Sequence, residues 1–224
     1  SCKKVINVFE NLFKNYNKPF LIEAGYLRFS FLISSITKNY YNKKIIIAPT
    51  GIDSFRSLSL KRNLEKIIYI LNKSNYFVVL RPHPRDINKD FYQNLKKRNK
   101  SNKLFLFDGS NNYLETYNNS FLMITDLSGT AYTYAFLTKK PVIFFSRREN
   151  FVLRSDYKNL NYFMDRKLVG EIITDEKKIV YAVRKCLKRK DKIKKEIFKL
   201  IKNNQLEIDA FKLTTNLLKK ISNA

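Results

Sequence analysis

The chain has 224 residues and a formal net charge of +25, from 44 Lys and Arg against 19 Asp and Glu. That length allows one large domain or two small ones, and the charge points to an anionic partner: nucleic acid, a phosphorylated substrate or an acidic membrane face. Two cysteines, Cys2 and Cys186, make neither a disulfide framework nor a metal site, and no run of about 18 apolar residues exists to span a bilayer.

The opening KKVINVFENLFKNY (3–16) has the pattern of an amphipathic helix with nothing ahead of it to pack on. An N-terminal part is therefore expected to be missing, and residues 1–42 are read as a helix and crossover segment belonging to a missing or truncated N-terminal half. KKIIIAPTG (43–51) is a short, wholly apolar run ending in Pro-Thr-Gly, the form of a buried parallel strand and its exit loop. SLKRNLEKIIYILNKSN (59–75) then places Leu60, Leu64, Ile67, Ile68 and Leu71 at helical spacing.

The alternation repeats. YFVVLRPHP (76–84) predicts a strand and loop, KDFYQNLKKRN (89–99) a helix, KLFLFD (103–108) a third strand and NNYLETYNNS (111–120) a short helix. FLMITD (121–126) predicts a fourth strand, GTAYTYAFLTK (129–139) a helix opened by Ser-Gly-Thr, and KPVIFFS (140–146) a fifth and last strand. Residues 147–170 read as irregular; a capping signal at Thr174 or Asp175 opens a helix through IVYAVRKCL, and the last thirty-five residues read as one or two basic surface helices. Strands alternating with helices require crossover connections, so the expected class is α/β, a Rossmann-like parallel sheet with helices on both faces. Residues 43–190 form the expected main domain, with 191–224 as basic helices packed on or beside it.

Ligands of open parallel sheets bind at the carboxyl ends of the strands. Those ends are here Pro49-Thr50-Gly51, Arg81-Pro82-His83-Pro84, Asp108-Gly109-Ser110, Asp126-Leu127-Ser128-Gly129-Thr130 and Ser146-Arg147-Arg148-Glu149. His83, the only histidine, lies among them, bracketed by prolines that hold it in an extended loop. An imidazole beside Arg81 can donate to a phosphate or exchange a proton with it, and Arg81 and Arg85 offer forked donors to phosphate oxygens. Free N–H groups at the start of the 129–139 helix, with the Ser128 and Thr130 hydroxyls, would bind an anion; the same residues also serve as an ordinary helix cap. Glu149 reads either as a ribose-hydroxyl acceptor or as a surface carboxylate paired with Arg147 or Arg148.

The sequence lacks GxGxxG, GxxxxGK[ST], a GxSxG elbow and any His/Cys/carboxylate cluster at metal-ligand spacing. No cofactor and no metal are expected. A nucleic-acid module would concentrate its cations and aromatics on one face; here they are spread, and no nucleic-acid partner is expected.

Taken in order, these stretches resemble the carboxyl-terminal half of the CDP-glycerol glycerophosphotransferase family, polymerases and primases of teichoic-acid-type polymers with a GT-B fold. GYLRFSFL (25–32) is similar to that family's Gly-Tyr-Pro-Arg-Asn-Asp segment and KKIIIAPTG to its strand ending Ala-Pro-Thr. LRPHP matches its Arg-Pro-His-Pro motif, ITDLSGTAYTYAFLTKKPVIFF its Thr-Asp-Tyr-Ser-Ser block, and VGEIITDEKKIVYAV its closing Gly-x-Ile segment. Leu27, Phe29-Ser30, Leu127 and Gly129 depart from the family pattern.

The resemblance implies a transferase in which His83 and Arg81 are catalytic at the pyrophosphate. Thr50, Gly51, Asp126, Ser128, Gly129, Thr130 and Glu149 would bind the donor and its phosphates. It further implies CDP-glycerol or another nucleotide-activated donor and a polymer or glycolipid acceptor. The family's second histidine, a base in the amino-terminal half, has no counterpart here, so this chain is expected to be incomplete by itself. A GT-B glycosyltransferase using a nucleotide sugar or CMP-Kdo is the alternative. The implied location is cytoplasmic, and the basic run 183–203 reads as a solvated face or as a surface resting on anionic lipid.

Overall fold

The computed structural model of the chain describes residues 29, 32–36, 43–51, 53, 60–150, 161–204, 206 and 210–222. Six parallel strands form one sheet: β1 (Lys44–Ile47), β2 (Phe77–Leu80), β3 (Phe105–Phe107), β4 (Leu122–Thr125), β5 (Val142–Phe145) and β6 (Gly170–Ile173). Their order is β3-β2-β1-β4-β5-β6, with Ile46 beside Val79 on one side and Met123 on the other. The expected Rossmann-like parallel sheet is what forms.

The central strands carry no polar alternation because both their faces are covered. Ile45, Ile46 and Ile47 of β1, Leu122 to Ile124 of β4 and Val142 to Phe144 of β5 are fully buried. The edge strand β3, with a neighbour on one side only, leaves Leu106 half exposed.

Helix α1 (Leu64–Lys73) buries Leu64, Ile67, Ile68 and Leu71, the i, i+3, i+4, i+7 stripe, and packs on β2. A 3-10 turn at Leu60–Asn63 precedes it, so the predicted helix starts later than its apolar pattern. Helix α2 (Asp90–Arg98) and the short α3 (Tyr113–Asn118) follow β2 and β3, and α4 (Thr130–Thr138) leads from β4 to β5. The short α5 (Asn161–Met164) and α6 (Arg166–Val169) replace part of the stretch expected to be irregular. Helix α7 (Ile179–Lys188) lies against α1, β5 and β6; α8 (Lys190–Asn203) rests on α6 and α4; α9 (Ala210–Ser222) closes the described chain. Ahead of α7, Asp175 rather than Thr174 supplies the cap, accepting from the Lys177 N–H at 2.9 Å. The helix expected over 3–16 lies outside the described residues.

The sixth strand corrects the expectation of five. GEII is short and carries a glutamate, so it has no apolar run to announce it, yet Ile143 pairs with Glu171 and Phe145 with Ile173. Gly170 makes the pairing possible: a Cβ there would stand 1.6 Å from the Val142 carbonyl oxygen.

Lys140 and Cys186 are both buried. The Lys140 amine donates to the carbonyls of Tyr117, Asn118 and Ser120 at 3.3, 2.8 and 2.5 Å, closing the C-terminal end of α3; burial lowers its pKa to about 8. Cys186 sits in the core under α7, where burial pushes the thiol up to about 12 and leaves it inert.

Candidate functional site

The strand order reverses direction between β1 and β4, and an open α/β sheet leaves a crevice beyond the strand ends at that point. A cavity of about 450 Å³ occupies it. Its walls are Ala48 and Pro49 after β1, Arg81 to Pro84 after β2, Tyr113 and Tyr117 of α3, and Ser128 to Thr130 with Thr133 at the start of α4. Four separate sequence segments thus meet in one pocket.

His83 is half-buried with extended backbone, as its proline brackets require. Its Nδ1 accepts from the Arg85 N–H at 3.3 Å. In the neutral ring the proton therefore sits on Nε2, which makes that nitrogen a donor. Arg85 itself is exposed and outside the cavity wall.

Arg81 is held from behind. Nη1 donates to Oδ2 of Asp108 at 2.6 Å and Nη2 to the Ser110 carbonyl at 2.8 Å, with Tyr113 under the guanidinium at 6.0 Å. Asp108 also accepts from the Ser110 N–H and hydroxyl and from the Thr116 hydroxyl. Burial alone would raise the Asp108 pKa; these hydrogen bonds outweigh it and hold the carboxyl below its ordinary value. The guanidinium reaches the pocket already oriented, with donors to spare.

Across the pocket, the turn between β4 and α4 presents amides. Ser128 Oγ accepts from the Thr130 N–H at 3.4 Å, and the helix begins at Thr130. Among the described residues no group accepts the N–H of Ser128 or Gly129. Two open amides at the start of a nine-residue helix line the same cavity as an oriented arginine and a histidine donor, groups whose chemistry suits an anion.

Of the residues singled out by sequence, Arg81, His83, Ser128, Gly129 and Thr130 come together in this wall. Thr50, Gly51, Asp126 and Glu149 stand outside it. Asp126 is 2% exposed, and its two oxygens accept the N–H of Thr50 at 2.8 Å and of Leu60 at 2.7 Å; burial raises its pKa against the pull of those donors. Glu149 pairs with neither Arg147 nor Arg148: both its oxygens are held by the buried Arg166, at 2.6 and 3.1 Å. Its ribose role finds no support in that placement.

Sequence reading missed the aromatic side of the site. Tyr113 and Tyr117 stack edge to face at 5.1 Å, and the Tyr117 hydroxyl meets that of Thr130. The Tyr162 hydroxyl lies 3.3 Å from the carbonyl oxygens of both Asp126 and Ser128. Fourteen tyrosines in the chain gave no signal to single these out.

Residues 7–221 match the family described as CDP-Glycerol:Poly(glycerophosphate) glycerophosphotransferase. The minor teichoic acid biosynthesis protein GgaB of Bacillus subtilis (strain 168) is 24% identical over 82% of this chain, which spans 22% of GgaB. Among solved structures, the wall teichoic acid polymerase TagF with CDPG superimposes at a TM-score of 0.65 and 22% identity, over 98% of this chain and 54% of that one. A protein of Listeria monocytogenes proposed to be a UDP-N-acetylglucosamine 2-epimerase superimposes at 0.62 with 12% identity over the whole chain and 59% of its own. These likenesses establish the fold, which is that of GT-B-type proteins; this chain spans only part of each relative's length.

Proposed function

The chain belongs to the CDP-glycerol:poly(glycerophosphate) glycerophosphotransferase family, and we propose that it is the donor-binding half of a transferase moving glycerol phosphate from CDP-glycerol to a hydroxyl of a cell-surface polymer. The observation carrying this reading is the placement of Arg81 and His83 in the same 450 Å³ cavity as the open amides of Ser128 and Gly129. A pyrophosphate would set one phosphate against each set of donors.

In the proposed reaction an acceptor oxygen bonds to the phosphorus that carries glycerol, and the bond from that phosphorus to the bridging oxygen breaks, releasing CMP. The acceptor hydroxyl loses its proton to a base supplied from outside this pocket. Arg81 and the α4 amides offset the charge that develops on the phosphoryl oxygens. The His83 Nε2–H donates to the departing phosphate. Tyr113 offers an aromatic face to the nucleobase beside the phosphate donors.

Residues 43–190 would be the donor-binding unit and 191–224 an accessory set of helices. Exposed Lys190, Lys192, Lys194, Lys195 and Lys199 on α8 would rest on an anionic membrane where a polymer acceptor is held. Among the described residues no helix is long and apolar enough to cross a membrane.

Calorimetric titration of the chain with CDP-glycerol, CMP, a UDP-sugar and a short oligonucleotide, at two salt concentrations, tests this. The expected result is saturable cytidine-nucleotide binding, weakened about tenfold in His83→Ala with an unchanged melting temperature. Tight binding of the UDP-sugar alone would move the assignment to a glycosyltransferase. Binding of the oligonucleotide alone, lost steeply with salt, would overturn it.

A further inference from the structure

The amides of the β4–α4 turn face the pocket only if the peptide planes of that turn are held, and two groups are placed to hold them. Asp126 fixes the start of the turn through its carboxylate, which accepts the N–H of Thr50 and of Leu60. From the other side, the Tyr162 hydroxyl sits 3.3 Å from the carbonyl oxygens of Asp126 and Ser128. The Asp126–Leu127 peptide is thus held at its carbonyl, and so is the Ser128–Gly129 peptide. A trans peptide sends its N–H opposite to its C=O, so the Gly129 N–H is directed away from Tyr162, on the turn that lines the cavity.

We propose that Tyr162 is a positioning residue for the anion-binding turn, its hydroxyl drawing back the Asp126 and Ser128 carbonyls so that the Gly129 amide is presented to the donor's phosphates. The identity of the anion rests on the donor reading above; the orientation of the amide does not.

Tyr162 is itself fixed. The Tyr132 hydroxyl donates to its carbonyl at 2.6 Å, and its ring packs edge to face with Tyr132 at 5.3 Å, Phe163 at 5.0 Å and Phe144 at 6.4 Å. Burial raises its pKa, so the hydroxyl keeps its proton and remains a donor near neutral pH. Because the ring makes these packing contacts, Tyr162→Phe removes the hydroxyl and retains the rest.

The test follows the Gly129 amide resonance while inorganic pyrophosphate, and separately CDP-glycerol, is titrated into wild type, Tyr162→Phe and Tyr134→Phe. Tyr134 is a fully buried tyrosine of α4 whose hydroxyl meets Ser120 instead of the turn, so its variant controls for the loss of any buried hydroxyl. The expected result is a saturable Gly129 shift in wild type, pyrophosphate affinity about five- to twentyfold weaker in Tyr162→Phe, and unchanged affinity in Tyr134→Phe. Equal affinity in wild type and Tyr162→Phe, or equal losses in the two variants, would overturn the proposal. Wild type that binds pyrophosphate but not CDP-glycerol would sink the donor reading while the positioning role is still judged by the variants; wild type that binds neither would remove both.

Discussion

The N–H of Thr50 meets one carboxylate oxygen of Asp126 at 2.8 Å, although 76 residues separate them in sequence. The N–H of Leu60 meets the other oxygen at 2.7 Å. One buried side chain at the end of β4 thereby holds two points of the connection leaving β1, beside the pocket. Asp126→Ala leaves two inward-facing N–H groups without acceptors, each costing ~1–3 kcal/mol. Destabilisation of about 2–5 kcal/mol is expected in urea unfolding, with a smaller loss in Asp126→Asn, which keeps one acceptor oxygen. An unchanged midpoint in the alanine variant would show that the loop is held by other means.

Acid should act through Asp108. Hydrogen bonds from Thr116, Ser110 and Arg81 outweigh its burial and keep the folded carboxyl below the ordinary 3.8. The stabilisation is therefore fully present above the unfolded value and is lost as pH falls through the lower folded one. Asp108→Asn lacks this titration. The stability advantage of wild type over the variant, measured by urea unfolding, is expected to shrink as pH falls through and below the ordinary 3.8; a constant difference would contradict the assignment.

Arg166 is buried to 1% side-chain exposure, and its fork holds both oxygens of Glu149 while Phe163 and Phe144 flank the guanidinium. Arg166→Met strands a carboxylate of 13% exposure, and a cost of about 3–5 kcal/mol is expected. Adding Glu149→Leu should recover much of it. Glu149→Gln is expected to lower the melting temperature and to leave CDP-glycerol affinity unchanged. The reverse pattern would restore a ribose contact for this residue.

Gly170 has extended backbone, so its requirement is space. A Cβ would lie 1.6 Å from the oxygen and 2.9 Å from the nitrogen of Val142, backbone atoms that move only with β5. Gly170→Ala is expected to cost at least ~3 kcal/mol and to increase hydrogen exchange across β5 and β6. Wild-type stability in that variant would mean the edge strand can shift freely.

Much of the architecture was legible in local pattern. Apolar runs such as Ile45–Ile47 and Val142–Phe145 become central strands, and the stripe Leu64, Ile67, Ile68, Leu71 becomes the buried face of α1. β6 escaped because its short Gly-Glu-Ile-Ile segment pairs on one side only and leaves its two middle residues half-buried. In the site, His83 between prolines and the Ser-Gly-Thr start of a helix were legible because backbone restriction and capping are properties of neighbouring residues.

The amino-acid sequence by itself determined the alternation of strands and helices, the α/β class and the set of unusual residues at strand ends, since each depends on side-chain periodicity over a few positions. The tertiary structure alone decided which of those residues share a pocket. The crevice between β1 and β4 joins Arg81, His83 and the α4 amides, whereas Glu149 is turned to Arg166 and Asp126 to the Thr50 and Leu60 amides. A carboxylate entering a low-dielectric interior must find donors there, and those donors come from distant segments that strand order, unseen in any local pattern, brings within reach.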